Sequence, residues 1–285
     1  MQKLVAVAIN IGAIVTCLAT TLAFQLPRVN QKIVGETPEV SRKIVEQEKT
    51  RLKLLSQIPP QGFGFNNLIA GTTFLSYAQY FGDDRAREAN KTGYSLSPSY
   101  LKVVIDRDPR FMLSYLFIST GSSIFAGQPC KSIALYAKGL QSLSPEQIPE
   151  AYTVWRYQGM DQLLFLGDGE AASRSYQNAA EWADRATFGS DALPETEFIA
   201  LSSRQAAVLL KQNPRSRQAR IAAWGSVLAA AIDKKTVEIA VTELAVLGMD
   251  VKTDRNGRLY MQPLSGSKAA SALNVEVTKK VCSIE

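Results

Sequence analysis

The chain has no histidine. That absence removes the commonest general base, the Ser-His and Cys-His nucleophile pairs, and most zinc sites. Cysteine is scarce too: Cys17, Cys130 and Cys282 are the only three, and they make no metal-ligand pattern. Nucleotide fingerprints are missing. Gln61-Gly62-Phe63-Gly64-Phe65 is glycine-rich but lacks the lysine and the strand-to-helix setting of a phosphate loop, so it reads as a bend. Charge of one sign does not dominate either. The net charge of +6 favours anionic surfaces mildly and is too diffuse to specify a nucleic acid. An enzyme without histidine would depend on carboxylates, lysine or a serine-lysine pair, and no motif brings those together. No catalytic residue, cofactor, metal, nucleic acid or small-molecule substrate is therefore expected.

What is present describes a folded chain: 46% apolar and 20% charged residues over 285 positions, enough for one large or two modest domains. Residues Leu4 to Leu26 form a nearly unbroken apolar segment, roughly 35 Å long as a helix and able to cross a bilayer core. Thr21-Leu22-Ala23 is a poor cleavage site, and Ile14-Val15-Thr16 lacks the small residue that a lipidated Cys17 needs. The segment is read as a retained signal anchor, residues 1–27. Lys3 on one side and Arg28 and Lys32 on the other nearly balance. An anchor so close to the N-terminus places the rest of the chain outside the cytoplasm, on a periplasmic or thylakoid-lumenal side.

Residues 28–60 read as a charged stalk. Arg42, Lys43, Glu46, Glu48, Lys49, Arg51 and Lys53 mix both signs, with Arg42 and Glu46 one helical turn apart, and Pro59-Pro60 ends the stalk helix. Beyond it the apolar spacing is helical up to residue 248. Asn66 or Asn67 caps a helix whose Phe74, Tyr77 and Tyr80 are core candidates, and Ser97 to Asp106 follows as a shorter one. Asp106 and Asp108 read as caps of the next helix rather than a catalytic pair. Further helices run from Ala192 to Leu210, Gln218 to Ile232 and Thr236 to Leu247.

Between Pro109 and Arg185 two similar units follow each other. Each has an apolar segment, a turn, and a second amphipathic segment. Gly127, Ser132, Tyr136 and Gly139 in the first match Gly167, Ala172, Tyr176 and Ala179 in the second. Small residues let two helices approach, and the aromatic fills the gap they leave. This pattern resembles a divergent tetratricopeptide repeat, a helical hairpin of roughly 34 residues that buries its stripe by stacking on neighbours. Gly121 and Gly159 lie one position out of frame, and the terminal proline has its counterpart only in Pro145. Gln79-Tyr80-Phe81-Gly82-Asp83 and Asp108-Pro109-Arg110-Phe111 are similar to stretches of repeat proteins anchored in bacterial membranes. The resemblance implies an all-α helical-hairpin solenoid over residues 61–248. It also implies a role binding a protein partner, as such proteins of photosynthetic bacteria, cyanobacteria among them, help assemble or stabilise membrane complexes. A permanent accessory subunit of such a complex is the alternative, and an enzyme is the third class. The contact residues expected on the first helices are Tyr115, Tyr152, Arg156 and Gln162.

Arg204, Lys211, Arg215, Arg217 and Arg220 form one local basic cluster. It reads either as solvated helix ends near exposed carbonyls or as a docking patch for an acidic partner or lipid headgroups. At the C-terminus, residues 249–285, Val251 to Asp254 and Leu259 to Gln262 flank Asn256-Gly257 and predict a small β-hairpin. Leu273 to Val277 alternates like a short strand. Since Cys17 lies in the apolar run, Cys130 and Cys282 are either a disulfide that ties the tail to a repeat turn or two unrelated thiols.

Overall fold

Proline and glycine punctuate the helices where the pattern places them. The computed structural model describes residues 12, 14–23, 25–26, 37–59, 64–83, 87, 90–186, 194–231, 233–253, 259–264 and 282. Helices dominate these residues, and a two-stranded antiparallel sheet follows them. The chain divides into two compact units, residues 1–48 with 84–92 and residues 49–83 with 93–285.

In the first unit, residues 14–23 and 25–26 are helical and exposed. Thr16, Thr20 and Thr21 fold their hydroxyls back onto the carbonyls of Gly12, Thr16 and Cys17, at 2.8, 2.7 and 2.8 Å. Among the described residues no helix is long and apolar enough to cross a membrane. Residues 4–11, 13 and 24 of the expected span lie outside the described ones. Helix α1, Pro38–Gln57, is the predicted charged helix, and an exposed Glu39–Lys43 pair lies one turn apart in it.

In the second unit, α2 is Asn66–Gly82, α3 Ser97–Arg107 and α4 Leu113–Ile118. Phe65, not an asparagine, occupies the cap position of α2, and no side chain caps it. The α2 aromatics are core: Tyr77 is buried and stacks on Phe81, with Tyr100 and Phe117 close by. The Arg107 guanidinium reaches the carbonyls of Leu55 and Ile58, which holds the end of α1 to α3. Asp108 accepts from the Arg110 N–H at 3.1 Å, as a cap should. Asp106 does not cap; it pairs with Lys102 and with Lys138, because α3 lies against the helix that carries Lys138.

The chain of α4 continues as a π-helical turn, Ser119–Phe125, and then turns into α5, Pro129–Leu140. A 3₁₀ turn, Pro149–Ala151, leads into α6, Tyr152–Phe165, which pairs with α7, Gly169–Arg185. The two connections have the same geometry. Gly127 and Gly167 both adopt the left-handed conformation, with φ of 66° and 65°, which an L side chain would resist. The next N–H, of Gln128 or Asp168, bonds to the carbonyl six residues back at 2.8 and 2.9 Å. Ser132 and Ala172 are both fully buried, as are Tyr136 and Ala179. A Cβ at Gly139 would collide with the Tyr115 ring, and one at Gly159 would meet Ser175 Cβ at 3.2 Å. Both glycines are therefore points of close helix approach.

Helix α8, Pro194–Gln212, lies on α7. A Cβ at Gly169 would overlap the backbone carbonyl of Pro214, where the chain turns out of α8. Helices α9, Arg217–Ala230, and α10, Lys234–Val246, form the last hairpin, capped by Ser216 and Asp233 through the N–H groups of Ala219 and Thr236. Their core joins Leu164 to Trp224, Leu228, Ala240 and Leu244. Lys235 Nζ stands over the rings of Tyr94 and Phe125 and donates to the Phe125 carbonyl at 3.2 Å, which ties α10 to the π-turn.

Strands β1, Met249–Thr253, and β2, Leu259–Pro263, pair antiparallel with Val251 opposite Met261. Met249 and Val251 complete the α9–α10 core. The Asn256-Gly257 turn and the Leu273 to Val277 segment lie outside the described residues. Cys282 is bonded to Cys130, in the first turn of α5, with an S–S distance of 2.02 Å.

Two outcomes test this packing. Blocking thiols in unfolded, unreduced protein should label Cys17 alone, and labelling after reduction should add Cys130 and Cys282, read by intact mass. Gly169→Ala should cost about 1–3 kcal/mol in urea unfolding, because the obstructing atom is backbone and cannot rotate away.

Candidate partner-binding surface

The residues that could meet a partner are sorted by which face each helix buries. Tyr115 is on the inside, with its hydroxyl donating to the Pro109 carbonyl at 2.7 Å and its pKa raised by burial. Gln162 is buried and accepts from Ser175 Oγ at 2.8 Å. Neither is on a contact surface, because both point into the helical pair that the repeat spacing predicts. Tyr152 is half-buried. Arg156 is half-buried and bonds Ser202 and Ser203 on α8 at 3.2 and 2.9 Å.

The basic cluster does not act as one patch. Arg220 is buried, 3.9 Å from Glu243, and burial lowers its pKa. Arg217 donates through Nε to the Leu247 carbonyl at 2.7 Å, as a cation near a helix C-terminus does. Arg204 pairs with Asp184. Arg215 is exposed. Lys211 lines a groove of about 560 Å³ between α7 and α8 with Glu170, Arg174, Asn178 and Val208. Neither Lys211 nor Arg174 makes an ion pair among the described residues. Of the five cations expected together, Lys211 alone lines this groove.

A different surface is apolar. From Leu54 to Gly82 no residue is charged. Within that run Phe65, Leu68 and Leu75 lie on one side of α2 and are 60–65 % exposed. The opposite side buries Ala70, Thr73, Phe74 and Tyr77. From that buried side Phe74 meets Phe111 and Phe117, and α4 has exposed Leu113 and Leu116 of its own. Scattered exposed leucines are ordinary, but a charge-free helix with apolar residues on both sides is the composition of an interface.

The structure also contains a polar site that the sequence reading did not find. Asp161, on α6, is 0 % exposed. Ser119 Oγ donates to its Oδ1 and Ser123 Oγ to its Oδ2, both at 2.6 Å, and Ser132 Oγ lies 2.8 Å from Ser123 Oγ. The π-helical turn supplies Ser119 and Ser123 from one face, and π-turns recur at specialised positions in helices. Burial pushes the Asp161 carboxyl up to about 6, against the two serine hydroxyls that hold its charged form. Tyr136 from α5 and Tyr176 from α7 sense its charge, and their own pKa values are raised, chiefly by burial. A carboxylate beside hydroxyls has the ingredients of acid–base chemistry, and this one is fully buried. The sequence signal was an aspartate at the centre of an otherwise inward-facing stretch, Gly159-Met160-Asp161-Gln162-Leu163.

Among the described residues no three His, Cys, Asp or Glu side chains are grouped as metal ligands. No protein-family model, curated protein or solved structure matches the chain.

Asp161 gives a signed pH dependence. Its folded pKa lies above its ordinary value of 3.8, so the folded state binds the proton more tightly than the unfolded state. Its stabilising contribution is complete below pH ~4 and is lost as pH rises through about 6, a difference of about 3 kcal/mol. Asp161→Asn keeps shape and hydrogen-bonding capacity without charge. In urea titrations it should match or exceed the natural protein above pH 7, and the difference between the two should shrink as pH falls from 6 to 4. A variant less stable by the same amount at every pH would show that Asp161 titrates alike in the folded and unfolded chain, and would overturn the raised pKa.

Proposed function

We propose that the chain is a membrane-anchored helical-repeat scaffold that binds a partner protein in the assembly or stabilisation of a membrane protein complex. The observation that carries this reading is the charge-free α2 face with Phe65, Leu68 and Leu75 turned outward. Fully burying each such side chain contributes about 1.5–3 kcal/mol, so a few of them suffice for the centre of an interface. The absence of charge from this face suits a partner of matching shape over one recognised by ion pairing.

The repeat reading draws support from the paired turns at Gly127 and Gly167 and from the small residues that let α6 and α7 approach. The anchor reading draws support from the threonines of residues 14–23, whose hydroxyls are satisfied within their own helix, as a lipid environment requires. The Cys130–Cys282 disulfide agrees with a domain on the exported side.

The test is purification of the full chain from its native membranes in mild detergent, with Leu68→Glu and Leu75→Glu combined as the variant. The partner recovered with the natural chain should fall at least tenfold with the variant, while the thermal midpoint and helical circular dichroism stay unchanged. A partner held in fixed stoichiometry through every step marks a permanent subunit; one captured only by crosslinking marks an assembly factor. Undiminished recovery with the folded variant would remove α2 from the interface. Absence of any partner in both would sink the scaffold reading.

A further inference from the structure

Helix α8 has a second apolar face that its own fold leaves open. Its inner edge, Thr196, Ala200, Ser203, Ala207 and Leu210, is buried. Directly opposite run Phe198, Leu201, Gln205, Val208 and Gln212, separated by three, four, three and four residues and all exposed, Phe198 by 69 %. That alternation is the seam by which two helices pack along their length. A helix apolar on opposite sides is stable when both are covered.

The charges beside this seam indicate what covers it. Glu197, Arg204 and Lys211 fall on one flank at seven-residue intervals. Arg204 is already compensated by Asp184 of its own chain. Glu197 and Lys211 make no ion pair among the described residues. We infer that the outer face of α8 pairs with α8 of a second copy, antiparallel, about a two-fold axis near Arg204 and Gln205. In that arrangement Leu201 meets Val208 of the other copy, and Glu197 meets Lys211 at both ends. The two arginines that approach the axis each carry their own aspartate. A parallel pairing brings like residues to the same height and loses both end contacts. An anionic bilayer is a poorer fit, because Glu197 and Asp184 border the face and Gln205 and Gln212 lie along its centre.

The 19-residue helix is about 28 Å long and its seam covers about four turns. Such a contact is at the small end of stable interfaces, so the pair forms more fully where copies are concentrated. The inference is independent of the α2 partner reading, since the two use different helices.

The test measures the mass of the full chain in detergent by sedimentation across concentration. The natural chain should pass from one copy to two, and Val208→Glu should weaken that step at least tenfold with an unchanged helical spectrum. Lys211→Glu and Glu197→Lys should each weaken it, and the two together should restore it, as only an antiparallel Glu197–Lys211 contact requires. The inference is overturned by a natural chain that stays a single copy at several hundred micromolar. It is equally overturned if two copies persist in Val208→Glu, or if the double charge exchange restores nothing. Binding to phosphatidylglycerol vesicles that Val208→Glu abolishes, with the copy number unchanged, would reassign the face to lipid.

Discussion

The second unit depends on how closely its helices approach one another. At Gly139 and Gly169 a Cβ would overlap the Tyr115 ring and the Pro214 carbonyl, and at Gly159 it would press on Ser175 Cβ at 3.2 Å. Ala172, Ala179, Ala200 and Ala207 extend the same condition along α7 and α8. Small side chains bury little area each, so this packing gains less from apolar transfer than a leucine-rich core would. Contact density compensates, because close backbones bring many atoms within dispersion range. The larger side chains are concentrated elsewhere: Phe165 against Trp224, and the aromatic group around Tyr77.

Close approach also explains the polar interior. Where backbones come near, hydroxyls reach across: Ser173 donates to the Ala207 carbonyl at 2.7 Å, and Ser175 donates to Gln162 at 2.8 Å. These bonds fix the register of α6, α7 and α8 against one another, since sliding by one residue would leave the polar groups buried and unpaired. Asp161 follows the same logic at greater cost. Its carboxylate is held by serines from the π-turn and not by a cation, so it favours one arrangement of α4, the π-turn and α6 without stabilising it strongly.

Helix positions and the two turn glycines were legible because both are local: periodicity of 3.6 and a left-handed residue leave marks in a few consecutive positions. The hairpin at Val251 and Met261 was legible for the same reason. Direction was not. Tyr115 and Gln162 sit at positions that a concave repeat surface would use, yet they point inward because Gly139 and Ser175 make room or a partner for them. Asp106 reads as a cap in sequence, but its partner Lys138 comes from a helix distant in the chain. The basic cluster dissolved likewise, since Arg204, Arg217 and Arg220 each found a separate carbonyl or carboxylate that spacing could not reveal. Helix α8 hid its two faces because apolar residues fall on opposite sides of it, so no single stripe stood out from the sequence.

The two outward faces differ in the kind of selectivity they can supply. The α2 face, without charge, rewards shape and excludes little by electrostatics. The α8 face carries Glu197 and Lys211 one on each side of Arg204, and that order distinguishes antiparallel from parallel and self from an arbitrary apolar helix. If α8 joins two copies, each pair carries two α2 faces, and a partner with two matching sites meets the second at an effective concentration set by the pair and not by the bulk. A weak self-association then has consequences for binding well beyond its own small contact.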